Sequence, residues 1–166
     1  MRRWLIVTTL LVLGSLALAQ APTYFVKADM VRGAQGAQGP VCVPNSVFSN
    51  GEMVVFRAVV YDAATGEELK FDEINARGIT ATVYMDGRDA APMFFPPSAE
   101  GEAAEGQEGP PPGAEFFRGP WAIPADFPAG MYNWHIEVAD AAGNTAEFLP
   151  IGGTVGLNFV TVQAAN

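Results

Sequence analysis

His135 is the only histidine in the chain and Cys42 the only cysteine, and together they limit the chemistry it could do. A Ser-His-Asp triad would have to use His135, yet there is no Gly-x-Ser-x-Gly elbow and serines are few. A blue-copper centre takes two histidines, so Cys42, His135 and the methionines fall one imidazole short. Met131 and His135 share one face of a strand, but about 13 Å of extended chain separates them, too far for one metal unless another element brings ligands. With one cysteine there is no intramolecular disulfide and no C-x-x-C-H haem attachment, and Val41-Cys42-Val43 reads as a small buried hydrophobe in a strand. Asp62, Glu67 and Glu68 gather at one turn and Asp140 and Asn144 at another. Calcium wants about six to eight oxygens, and neither turn has Asp-x-Asp-x-Asp spacing, so both read as Asx-type turns. Paired carboxylates for glycoside hydrolysis are defined by their separation in space, which spacing along the chain does not give. The expectation is a non-catalytic protein without a cofactor. The competing expectation is a small metal-handling or redox-accessory protein using Cys42 and His135.

The N-terminus carries an address. Arg2 and Arg3 precede an apolar run from Trp4 to Leu18, and Ala17-Leu18-Ala19 follows the A-x-A pattern of a signal-peptide cleavage site. The run is shorter than the roughly 20 residues a spanning helix needs, and no later segment approaches that length, so no membrane span is expected in the mature chain. No cysteine follows the run directly, which argues against a lipid-anchored N-terminus. Residues 1–19 are therefore expected to be removed from a protein exported to the periplasm or the extracellular space. Losing Arg2 and Arg3 takes the formal charge from −9 to −11, 7 basic side chains against 18 acidic. Such a balance, with cations scattered from Lys27 to Arg118, lacks the basic stripe of a nucleic-acid partner and reads as solubility outside the cell.

What could position these residues is a set of strands. Gly51 to Asp62 is the organising one: Val54, Phe56, Ala58 and Val60 form one apolar face, Arg57 and Tyr61 lie on the other, and the run is β-branched, aromatic and bounded by Gly51 and Gly66. Residues 20–40 hold a first strand at Thr23–Val26 and a Gly-rich surface loop from Gly33 to Gly39, too short for a collagen helix. Residues 41–166 hold the rest. An edge strand runs through Val41–Val43 and Val47–Phe48, broken by proline, and Ile79–Met85 alternates up to Asp86-Gly87, a type I′ hairpin signal returning through Ala91–Phe95. The insertion 96–119 changes composition to Pro, Gly and Glu, with nothing from Pro96 to Glu115 able to build a core. Phe116–Ile123 is a weaker strand. Tyr132, Trp134, Ile136 and Val138 point inward on the next, with Met131, Asn133, His135 and Glu137 on its other face, and Val155–Val162 is the last strand. No helical period of useful length is present. Phe94, Phe95, Phe116 and Phe117 bracket the acidic loop and are too apolar for exposed hairpin ends, so some should pack inside and the rest should meet a protein partner.

Short strands with turns between them and no helix indicate an antiparallel sandwich or barrel. The stretch Gly51-Glu52 to Tyr61-Asp62, the Thr65-Gly66 turn, Gly130-Met-Tyr132 and Asp140-x-x-Gly143-Asn144 resemble bacterial immunoglobulin-like and fibronectin type III-like exported domains, over about residues 41 to 163. The resemblance implies an immunoglobulin-like β-sandwich. It also implies that Tyr132 makes the tyrosine corner, its hydroxyl bonding back to upstream backbone, and that Trp134 stands where antibody-type domains carry their second cysteine. The signal peptide, the strand pattern and the lack of a catalytic set lead to the expectation of a protein-binding module or accessory subunit of a periplasmic or cell-surface assembly, although such a fold supports many functions.

Overall fold

Val54, Phe56, Ala58 and Val60 are almost fully buried, and the residues between them are half-buried, so the period-2 alternation of the organising strand is realised from Met53 to Asp62. The structure is a computed structural model and describes residues 21–86, 88–95, 115–150 and 159–164. The expected signal peptide, most of the acidic loop (96–114) and residues 155–158 of the expected last strand lie outside these.

The elements in order are β1 (Tyr24–Arg32), β2 (Val47–Ser49), β3 (Met53–Asp62), α1 (Phe71–Arg77), β4 (Thr80–Met85), β5 (Arg88–Met93), β6 (Phe117–Ala122), β7 (Gly130–Ala139), β8 (Thr145–Phe148) and β9 (Phe159–Gln163). They make an all-β, sandwich-like fold of two sheets. One has the order β1-β3-β6, antiparallel throughout. The other has the order β2-β9-β7-β4-β5, and its centre is β7. β4 lines one edge of β7, while β9 and β8 share the other, β9 against Gly130–Asn133 and β8 against Ile136–Ala139. β2 runs parallel to β9. The inward faces of β3 and β7 meet in the core, where the Phe56 and Trp134 rings lie 5.2 Å apart. Phe94, just past β5, exchanges two backbone hydrogen bonds with Arg118 of β6, and Val31 of β1 bridges to Pro44 in the loop before β2.

Three details depart from the sequence reading. α1 interrupts the all-strand expectation. It is two turns long and buries only Ile74, too little for a helical period to register. Its ends are nonetheless well specified, with Glu73 accepting the Lys70 N–H at 3.1 Å and Gly78 taking the left-handed conformation at φ 61°. β8 was not expected at all, being four residues on an outer edge with no fully buried position. Cys42 is neither buried nor in a strand. It is exposed at φ 58°, and its N–H donates to Arg32 O at 2.8 Å, so the prolines at 40 and 44 define a turn rather than a strand. The hairpin after β4 follows the reading more closely: Met85 pairs with Arg88 across a two-residue connection, and Asp86 takes φ 47°.

The two turns weighed for calcium are closed by other partners. Asp62 binds Arg77 at 2.9 Å and accepts the Ala64 N–H. Asp140 accepts from the Asn144 side chain, the Tyr24 hydroxyl and the backbone N–H groups of Ala142 and Asn144, all at 2.7–2.9 Å, and so ties β1 to the β7–β8 turn. Those bonds, the Asn144 side chain's first, hold the Asp140 carboxyl down to about 2. Because the folded value lies below the unfolded one, the stabilisation is complete above about pH 4 and is lost as pH falls towards 2. Melting temperature should therefore drop across that window, and by less in Asp140→Asn than in the parent. An equal drop in the variant would assign the acid transition to other carboxylates. Among the described residues no helix is long and apolar enough to cross a membrane.

Candidate functional site

The register of β1, β3 and β6 fixes what the outer face of the three-stranded sheet presents. Positions opposite each other in adjacent strands point the same way, so Phe25 lies beside Tyr61, Lys27 beside Val59, and Val55 beside Pro120. Between these rows runs one polar row, Asp29–Arg57–Arg118, and the Phe94 bridge extends it past β6. This face would normally alternate towards polar side chains. Here Val55, Val59 and Tyr61 are only half-covered, and Phe25 and Phe94 are 55% and 52% exposed. Val41 and Val43, in the turn that bridges to β1, are exposed as well.

The polar row is unevenly paired. Arg57 makes a forked contact to Asp29, Nε to Oδ1 at 2.7 Å and Nη2 to Oδ2 at 2.5 Å, and these bonds raise its pKa against the opposing effect of burial. Arg118 stands directly opposite Arg57 and has no such partner among the described residues: its buried Nε makes no hydrogen bond to them, and desolvation lowers its pKa. The nearby Glu115 is turned to Lys70, at 3.7 Å. The Phe116 ring lies against both guanidinium groups, 5.8 Å from Arg57 Cζ and 5.1 Å from Arg118 Cζ. A half-desolvated cation thus sits among aromatic and β-branched side chains on a protein that is otherwise strongly acidic.

The four phenylalanines at the base of the loop divide between core and surface. Phe117 is buried and Phe95 packs edge-on against it at 5.0 Å, with Phe71 of α1 behind. Phe116 is half-buried under the arginines, and Phe94 is exposed. Strand alternation separates Phe116 from Phe117. Nothing in the sequence showed that Arg57 and Arg118 would face each other, because the pairing of β3 with β6 is a long-range register.

Trp134 is buried between Phe56 and Phe148, and Tyr132 is half-buried beside Phe127, its hydroxyl donating to Pro128 O at 2.7 Å. Cys42 and His135 are not brought together. Cys42 lies instead near Arg57 and Arg118. His135 lies on the outer face of the other sheet, stacked on Tyr84 at 5.0 Å. Compared with known proteins, the chain matches no family model, no curated protein and no solved structure.

Proposed function

We propose that the chain is an exported, non-catalytic immunoglobulin-like module whose β1-β3-β6 outer face docks another protein, as an accessory subunit of a periplasmic or cell-surface assembly. The observation that carries the reading is Arg118, a partly buried cation without an anionic partner among the described residues, bordered by the exposed Phe94 and lying over the half-buried Phe116 ring. Contiguous exposed apolar surface is uncommon on a monomer, and aromatic residues with arginine are what protein interfaces concentrate at their centres. Charge complementarity defines the partner: a protein segment that brings a carboxylate to Arg118 and apolar side chains to Phe94, Phe116 and Val59.

The immunoglobulin-like part of the reading is supported by the partition of β1, β3 and β6 into one sheet and β4, β7 and β9 into the other. The Tyr132 bond back to Pro128, at the start of β7, adds to it. Export rests on the N-terminal pattern alone.

Arg118→Gln and Phe94→Ser should each weaken partner binding by roughly 10- to 100-fold, the effect of removing an interface anchor, while leaving the melting temperature within a few degrees of the parent. Phe95→Ser and Phe117→Ser should instead unfold the protein more easily, because those rings are in the core. The partner is first captured by the mature protein from the producing cells and then titrated against the variants. Parent-like affinity in both Arg118→Gln and Phe94→Ser would rule out this face as the interface. Sedimentation of the mature protein alone separates a foreign partner from a second copy of the chain.

A further inference from the structure

The opposite outer face carries a group that the docking reading does not use. β7 places His135 and Glu137 two residues apart on one side, and the β7–β8 register sets Glu147 directly across from Glu137. His135 Nε2 lies 3.7 Å from Glu137 Oε1 and 3.8 Å from Glu147 Oε1, and one ligand atom from each of the three side chains falls within 4.8 Å of the others. Two carboxylates facing each other across an antiparallel pair repel. Neither has an ion-pair partner among the described residues other than His135. The imidazole is held in place by its cross-strand partner Tyr84, the two rings stacked within 9° of parallel, so that Nε2 sits between the carboxylates.

From this geometry we infer that His135, Glu137 and Glu147 form a divalent transition-metal site, with zinc the ion it suits. One nitrogen and two carboxylate oxygens on a solvent-facing sheet give three protein ligands and leave the remaining positions to water. Zinc binds such atoms at about 2.0–2.2 Å, and the observed spacings close to that shell by rotation of two exposed glutamate side chains about their own bonds. Calcium fits poorly, since it wants about six to eight oxygens and the group offers an imidazole and two carboxylates. The bound ion would cancel the Glu137–Glu147 repulsion and clamp β8, the shortest strand on the β7 edge, to β7. Cys42 takes no part.

The test is calorimetric titration of the mature protein with zinc chloride, and with calcium chloride in parallel, on the parent, His135→Ala, Glu147→Gln and Cys42→Ser. The parent and Cys42→Ser should bind one equivalent of zinc and gain melting temperature with it. His135→Ala and Glu147→Gln should bind about tenfold or more weakly. Metal-free Glu147→Gln should melt no lower than the parent because it removes a like-charge pair, so its lost zinc response cannot be put down to misfolding. The site is overturned if the parent binds no zinc, if His135→Ala and Glu147→Gln keep parent affinity, or if calcium binds as tightly as zinc and independently of His135.

Discussion

Trp134→Ala should lower the free energy of unfolding by about 3–5 kcal/mol, the largest loss expected from any single truncation in this core. The indole is 4% exposed at the centre of β7 and touches both layers, with Phe56 of β3 at 5.2 Å and Phe148 of β8 at 5.6 Å. Phe56 cannot move in to fill the space, because β3 is paired on both sides from Val54 to Ala58. The cavity therefore stays open, and both rings lose their partner. Total stabilities of such domains are about 5–15 kcal/mol, so a large share of the margin depends on one side chain. Urea denaturation measures it; a loss under about 1 kcal/mol would mean that the sheets do not meet at Trp134.

Arg32→Ala should cost a comparable amount by a different route. Glu52 is 1% exposed and the only buried charged residue among those described. Its carboxylate accepts the Ser49 N–H at 2.7 Å and the Gln38 N–H at 2.8 Å, which pins the Gly-rich loop and the β2–β3 turn together. Arg32 Nε lies 2.9 Å from Glu52 Oε1 without a well-directed hydrogen bond, so the contact is one of charge. The guanidinium is also held by Val47 O at 3.1 Å and by the face of Phe48. Removing it leaves a buried carboxylate without a counter-charge, and breaking one side of a buried pair typically costs about 3–5 kcal/mol. Replacing both residues with apolar ones, Arg32→Met with Glu52→Leu, should recover part of the loss, since no charge is then stranded, although two backbone N–H groups are left without their acceptor. If Arg32→Ala alone melts within about 1 kcal/mol of the parent, water reaches Glu52 and the pair is not buried in solution.

The parts of this fold that were legible in the sequence are those set by local period. β3 and β7 alternate cleanly because one face of each packs against the other sheet, and the chain turns after Met85 with Asp86 at positive φ. The parts that were not legible depend on distant partners. α1 and β8 are too short to show a period, and Cys42 looked like a strand residue because Val41 and Val43 flank it. The burial of Glu52 was not legible, since it is created by Arg32 and the loop folding over it. The candidate docking face was half visible. The aromatic bracket of the acidic loop stood out, but which rings turn inward depended on strand parity, and the pairing of Asp29 with Arg57 rather than Arg118 depended on the β1-β3-β6 register.

The central claim, that the β1-β3-β6 outer face is where another protein binds, is tested most directly by site-specific photo-crosslinking in the producing cells. A photoreactive phenylalanine analogue is placed at position 25 or 94 on that face, or at position 131, whose side chain is 62% exposed on β7 of the other sheet. Positions 25 and 94 should trap the same single protein, and the adduct should disappear when Arg118→Glu is added, because the partner's carboxylate would then meet a like charge. Adducts from position 131 with none from 25 or 94, or adducts that survive Arg118→Glu, would contradict it.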